Sequence, residues 1–429
     1  MLIEAHFLQS FPVSNLNRDD IGQPKTANFG GYTRARISSQ SQKRAARKLF
    51  ERNGLEGGVS WQTKRLCEAA AKLDAKPDTD LQPVIELMRA GLATLGFNTD
   101  GRGLNDYLIK IDPSQAPRAL AEYCCERAGE LAGIIRERED WLKKEQAKAK
   151  RSKTPREGPQ SWDYEKIAKE AAKKLSTDNE AVAARRRILD ASDLADVAMF
   201  GRMIASNTDF SIVGASQVAH AISTHEVAND FDFYTAIDEL KPSDSKGAEM
   251  VGTIDFNAAC YYRYLNLDLN QLRKNLRSKI EGETPGDRPS PAPEDPRLED
   301  LVHRSAKAWL KSFIEAVPTG KQSTMAAPCM PDTLLVVVRE QGSWSLANAF
   351  LSPVGRPKDL MLDSTLQLTD YLDRLLAVYG DDEIRSITYC TTLKAAGYSG
   401  PKVTETGSAK QLVNSVLAAA EAAAPAGKP

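Results

Sequence analysis

Two kinds of apolar period divide this chain, and their order limits what it can fold into. In "LIEAHFLQSF" (2–11) and "YTRARIS" (32–38) apolar and polar residues alternate, the pattern of strands with two unlike faces. From residue 63 to about 136 the apolar residues instead recur at helical spacing, in "LCEAAAKL", "LQPVIELMRAGLATLG" and "APRALAEYCCERAGELAGIIRERE", which predicts a helical lobe. Alternating stretches flank the turn-rich "KPSDSKG" and predict a long hairpin leading into a central strand at 258–267. A helix at 301–316 follows, and then two strands, "TLLVVVR" and "SITYCTT", flank a helix at 366–379. Strands near both ends, with helices and a hairpin between them, suit an α+β sheet domain interrupted by insertions, and no internal repeat is visible.

The 429 residues leave room for two or three lobes. No apolar run approaches the ~20 residues of a membrane helix, and the N-terminus lacks the basic and small-residue features of a secretory signal, so a cytoplasmic protein without a membrane partner is expected. The six cysteines are scattered with no C-x-x-C pair, which predicts reduced thiols rather than a zinc site or a disulfide framework. "KKEQAKAKRSKTPREGPQSW" is basic and nearly free of core residues, so 143–160 reads as a mobile insertion before helix resumes at "YEKIAKEAAKKL". A second break, the Pro-rich 281–298, reads as a linker.

The formal net charge is only −1, yet between Ile21 and Phe50 the charged residues are Lys25, Arg34, Arg36, Lys43, Arg44, Arg47 and Lys48, with no Asp or Glu. Solvated faces normally mix signs, so this omission points to an anionic partner. Alternation in "YTRARIS" puts Arg34 and Arg36 on one face of a strand. The chain then passes through Ser38, Ser39, Gln40 and Ser41 into a helix capped by Ser38 or Ser39, on which Lys43 and Arg47 share a face opposite Ala45 and Leu49. Cations, hydroxyls and free backbone N–H groups therefore converge, an arrangement suited to nucleic-acid phosphates rather than to base edges.

Other chemistry is weaker. Of the histidines His6, His220, His225 and His303, only His220 and His225 are close in sequence, and their spacing does not share a helix face, so no metal site is predicted. "PTGKQST" (318–324) has Glu315 where a phosphate loop needs glycine, which excludes that nucleotide-binding motif. "NRDD" offers Asp19 and Asp20 as metal ligands for a nuclease, but adjacent loop carboxylates diverge and a solvated or capping role fits better. No cofactor is expected.

"NLNRDDIGQPKTANFGGYTRARISSQSQKRAARK" closely resembles the N-terminal signature of the CasC backbone subunits of type I-E CRISPR Cascade complexes. The resemblance continues in "FGRMIAS", "VAHAISTHEV", "DFDFYTAIDEL", "GTIDFNAACYYRY" and "SLANAF", covering most of the chain outside the helical lobe. It implies a palm resembling an RNA-recognition-motif (ferredoxin-like) fold, formed by 1–55, 191–222 and 258–429. It also implies a helical fingers lobe at 56–190 and a β-hairpin thumb at 223–257. The implied role is non-catalytic: copies assemble side by side along the CRISPR RNA guide, each thumb displacing a nucleotide, and the guide pairs with target DNA. Implied partners are the guide, target DNA through it, further copies of the chain, and the large, small, guide-end-binding and guide-processing subunits. By motif, Lys25, Ser38, Gln40, Lys43 and Arg47 touch the guide backbone, Arg202 and Met203 lie beside it, and Thr235 and Val251 sit on the thumb. Arg356 and Lys358 of "GRPKD" replace a lysine-rich loop of the family. The competing reading is a metal-dependent ribonuclease, like backbone subunits of type III complexes, using Asp19 or Asp20; an unrelated scaffold is a blander third.

Overall fold

The computed structural model of the chain describes residues 1–73, 80–97, 109–151, 164, 167–168, 170–171, 178–190, 194–203, 211–236, 250–277, 296–355 and 359–422. They group into two compact units, one made of residues 1–57 and 214–429, the other of residues 58–213. The strands in chain order are β1 (Leu2–Ser14), β2 (Thr26–Phe29), β3 (Tyr32–Ile37), β4 (Trp61–Thr63), β5 (Ile109–Ile111), β6 (Ser216–Val218), β7 (Ala221–Ser223), β8 (Asp230–Ala236), β9 (Met250–Asp268), β10 (Thr333–Arg339), β11 (Ile384–Thr391) and β12 (Val403–Glu405). The first unit holds one sheet in the order β12-β11-β10-β1-β9-β7-β3-β2, with β6 and β8 also paired to β9. Among the described residues only β11 and β12 pair in parallel, so the sheet is mixed and the α+β expectation stands.

β1 lies between β9 and β10, and its residues 3–9 are buried almost throughout. Its alternation therefore separates two kinds of interior rather than core from solvent. On one face Glu4 accepts hydrogen bonds from Arg339 Nη1 (3.1 Å), the Tyr264 hydroxyl (2.8 Å) and the Trp344 N–H (2.6 Å), and His6 Nδ1 lies 2.9 Å from the Tyr262 hydroxyl. Burial raises the Glu4 carboxyl pKa, with Arg339 pulling the other way, and holds the His6 imidazole down at about 3. This face also carries Leu8, Tyr262 and Leu335, which pack with Phe350, Leu368 and Leu372 of the segment leading into and along the helix Leu360–Tyr379. On the other face Arg263 of β9 donates to Gln9 Oε1 (2.6 Å), Gln42 Oε1 (3.2 Å) and the Phe313 carbonyl (2.8 Å), the last on the helix Pro296–Glu315. A buried cation is tolerable only with such partners. Helices thus cover both faces of the central strands.

β9 is longer than expected: one 19-residue strand runs from the hairpin with β8 into the sheet centre, where the sequence separates a hairpin from a strand at 258–267. The C-terminal helix Ala409–Glu421, which no sequence pattern flagged, packs against the helix Pro296–Glu315.

The second unit pairs β4 with β5 and adds the helices Leu66–Ala71, Gln82–Thr94, Gln115–Glu126, Ala128–Arg151, Asn179–Leu189 and Ala195–Phe200. Leu92, Phe97, Leu120, Cys124 and Ile188 lie in its core. The helix Ala128–Arg151 continues through the first half of the expected mobile insertion, because "KKEQAKAK" has high helix propensity and extends a helix already nucleated. The remainder, 152–160, lies outside the described residues, as do most of the 281–298 linker and the "KPSDSKG" turn. Residues 194–203 group with this unit, where the sequence predicts palm, since Asp196 accepts from the Ser60 N–H (2.9 Å) and hydroxyl (2.8 Å) and Leu194 and Val197 pack with Ile212. No helix among the described residues is long and apolar enough to cross a membrane.

Candidate nucleic-acid interface

The helix following β3, α1 (Ser39–Arg47), begins where its residues dictate. Ser38 is extended, and its hydroxyl accepts the Ser41 N–H at 3.3 Å. The Ser38 N–H in turn donates to Asn17 Oδ1 at 2.8 Å, which ties the helix start to the loop carrying "NRDD". The first turn contains no acid, while Arg44 and Arg47 stand in the last turn, where the helix dipole favours cations. Gln42, Ala45 and Ala46 form the buried face, and Gln42 fixes it by donating to the Ala219 carbonyl (2.9 Å) while accepting from Arg263. Gln40, Arg44 and Lys48 are exposed, with Lys43 and Arg47 half-buried beside them; burial lowers the Lys43 ammonium pKa.

Pairing of β2 with β3 brings two more cations to the same end of the sheet. The Arg36 N–H donates to the Lys25 carbonyl at 2.8 Å, and the Arg36 guanidinium donates to the Thr26 carbonyl and lies 3.1 Å from His220 Nδ1. Burial lowers the His220 pKa, and the charges of Arg36 and Lys25 lower it further. Lys25, Arg36 and His220 are therefore neighbours, and β3 leads directly from them into α1. His220 was not among the expected site residues; its position depends on the pairing of β3 with β7, which no local pattern reveals.

Arg34 does not share this surface. It is fully buried, and its guanidinium donates to the carbonyls of Ser223 (3.0 Å), Phe350 (2.7 Å) and Leu351 (3.4 Å). The expectation that both strand arginines face something polar holds, but for Arg34 the polar surrounding is protein backbone. Arg202, in the second unit, is likewise only 7% exposed: it donates to the Lys110 carbonyl at 3.1 Å and pairs by backbone with Ile212, and burial pulls its pKa to about 10. Its neighbour Met203 is 85% exposed. Thr235 is an exposed residue of β8 paired with Val251 of β9. On that hairpin Phe231 and Phe233 are 73% and 61% exposed, and Tyr234 lies over Gly252 of the opposite strand. Arg356 and Lys358 lie outside the described residues.

The loop before β2 is also ordered by hydrogen bonds. Asp19 Oδ1 accepts the N–H groups of Ile21 (3.1 Å) and Gln23 (2.9 Å), a capping role, while Asp20 is exposed. Among the described residues no group of three or more His, Cys, Asp or Glu side chains could hold a metal ion. A polar cavity of about 420 Å³ opens between Arg18, Asp19, Asp20, Ser41 and Thr319–Gly320. "PTGKQST" thus reaches the start of α1, and a Cβ on Gly320 would come within 2.3 Å of the Leu16 carbonyl oxygen.

The chain resembles known proteins in sequence and in fold. Among solved structures, a chain of a "CRISPR RNA-guided surveillance complex, pre-nicking" is 27% identical, with a TM-score of 0.65, over 98% of this chain and 100% of that one. A chain of another "CRISPR RNA-guided surveillance complex", 21% identical with a TM-score of 0.56 over 98% of this chain and 100% of that one, shares the fold. No curated protein matches. The sequence model of the family described as CT1975-like protein matches residues 3–415, and the chain belongs to that family.

Proposed function

We propose that this chain is a guide-RNA-binding backbone subunit of a CRISPR surveillance complex, of the type I-E class by its motifs. The first unit acts as a palm resembling an RNA-recognition fold, the second as the fingers, and the β8–β9 hairpin as the thumb. One observation carries the reading. A segment with seven cations and no acid forms a strand and a serine-capped helix start, so Lys25, Arg36, Ser38, Gln40, Lys43, Arg44 and Arg47 belong to adjoining elements at one end of the sheet. Such a cradle binds phosphates without reading sequence, which leaves the bases of the guide for target DNA. The near-zero total charge fits a subunit that stacks on copies of itself and meets other subunits of the complex, since like charges would repel at each junction.

The role is binding rather than catalysis. Of the two carboxylates that a nuclease reading could use, Asp19 and Asp20, the first is engaged in capping its own turn. Purification of the full chain with its bound nucleic acid tests the proposal: a discrete short RNA is expected, with affinity for single-stranded RNA falling steeply as salt rises. A chain that carries no RNA and shows no salt-dependent binding refutes it. Cleavage of target RNA in magnesium, lost on Asp19→Ala or on Asp20→Ala, establishes the ribonuclease reading instead.

A further inference from the structure

Behind the cradle, three segments distant in sequence meet on one side chain. Arg34 sends Nη1 to the Ser223 carbonyl and Nη2 to the carbonyls of Phe350 and Leu351, with the rings of Phe29 and Tyr32 at 5.9 and 6.0 Å from its guanidinium carbon. Its Nε finds no acceptor among the described residues, so the side chain is placed by its two terminal nitrogens. The same junction is closed twice more by backbone. Gly30, at φ +65°, sits where a Cβ would come 1.9 Å from the Leu351 carbonyl oxygen, so the tip between β2 and β3 presses on that turn. The Val227 N–H donates to the Thr33 carbonyl (3.0 Å), and the Ala35 N–H to the Ser223 hydroxyl (3.1 Å), which itself donates to the His225 carbonyl (2.6 Å). His225 Nε2 accepts the Cys260 N–H (3.3 Å), which joins the two legs of the β8–β9 hairpin at their base.

Residues 32–37 lead into α1, and residues 223–227 lead into β8. A planar guanidinium can donate in two directions at once, which a point-charge ammonium cannot do as well. We propose that Arg34 is a positioning residue: it fastens the root of the β8–β9 hairpin to the cradle strand, so that RNA bound along α1 restrains the hairpin. The inference rests on the guide-binding reading, and it reassigns a cation of the basic segment from phosphate contact to transmission.

The test is hydrogen exchange on the full chain, with and without a saturating single-stranded oligoribonucleotide, for wild type, Arg34→Met and Arg34→Lys. In wild type, RNA should slow exchange severalfold in α1 and also in 230–236 and 250–256. In Arg34→Met the α1 effect should persist, the hairpin effect should fall by at least half, and the salt slope of RNA affinity should stay unchanged. A full hairpin effect in Arg34→Met, or none in a wild type whose α1 is protected, overturns the proposal. So does a salt slope lower by roughly 0.7, the mark of one lost phosphate contact. Should Arg34→Met not fold, Arg34→Lys decides: it can hold one side of the junction, so a partial loss of the hairpin effect supports the proposal and full retention overturns it. A wild type in which RNA protects nothing refutes the guide-binding reading itself.

Discussion

The cradle around α1 and the β8–β9 hairpin belong to the same sheet but are built on opposite plans. α1 is held from beneath by Gln42, which bonds at once to Arg263 and to the Ala219 carbonyl, so its exposed cations stand on a fixed base. The hairpin extends through seven antiparallel partner pairs, yet Phe231, Phe233 and Tyr234 are all exposed on it. One region has its cations carried on an element fixed by buried polar bonds, while the other has ladder hydrogen bonds and little packing. A rigid cradle lowers the ordering cost of binding, whereas a thinly packed hairpin can open locally at small free-energy cost and be ordered by a ligand.

The largest expected effect breaks the fixed base. Arg263→Ala leaves Gln9, Gln42 and the Phe313 carbonyl without their buried donor, and should destabilise the first unit by about 3–5 kcal/mol, read as a lowered midpoint in urea. A loss under about 1 kcal/mol would mean that α1 is held by something other than this network.

Next is the cradle itself. Lys43→Glu with Arg47→Glu reverses two charges opposite Ala45 and Leu49, so the core contacts of α1 should survive while RNA affinity falls by roughly 100-fold, at about tenfold for each charge-assisted contact. The salt slope should drop by roughly 0.7 per contact, alike for every RNA sequence. Unaltered affinity and slope in a folded double mutant would reduce this face to a solvated one.

These two regions also differ in how much of them the sequence discloses. Ser38, the first turn of α1 and the buried Ala45–Ala46 stripe are legible because capping and helical period are local. The role of Arg34 is not, because its carbonyl partners lie 189 and 316 residues away and a buried arginine looks the same in sequence as one facing phosphate. "PTGKQST" is equally opaque: it fails as a phosphate loop, and only the tertiary fold brings Gly320 against Leu16. The alternation of β1 is visible, but not that Glu4 and His6 face an interior, since burial on both faces depends on which helices cover the sheet.

That interior sets the third expectation. His6 titrates near 6.5 when unfolded and at about 3 when buried, so the unfolded chain binds the extra proton first. Its contribution is fully present above about pH 6.5 and declines as pH falls toward 3, by roughly 2 kcal/mol between pH 7 and pH 5. Glu4, whose carboxyl is raised by burial, works in the opposite direction, so the quantity to measure is the difference between wild type and His6→Gln in urea melts at the two pH values. Equal pH dependence in both would show that the imidazole is not the group responsible.

The smallest expected effect lies on the hairpin and sharpens the contrast most. Phe231 and Phe233 sit on one face of β8, opposite Asp255 and Thr253, and are 73% and 61% exposed. Little apolar surface is withdrawn from water there, so Phe231→Ser with Phe233→Ser should change the stability of the RNA-free chain by no more than about 0.5 kcal/mol. Serine's lower strand preference should speed exchange in 230–236 while leaving α1 unchanged. A double mutant less stable by more than about 1 kcal/mol would show that the hairpin is integrated with the core as the cradle is, and the contrast between a preorganised and an orderable region would fail. If stability holds while RNA affinity falls, the two aromatic rings contribute to binding through a surface that contributes almost nothing to folding.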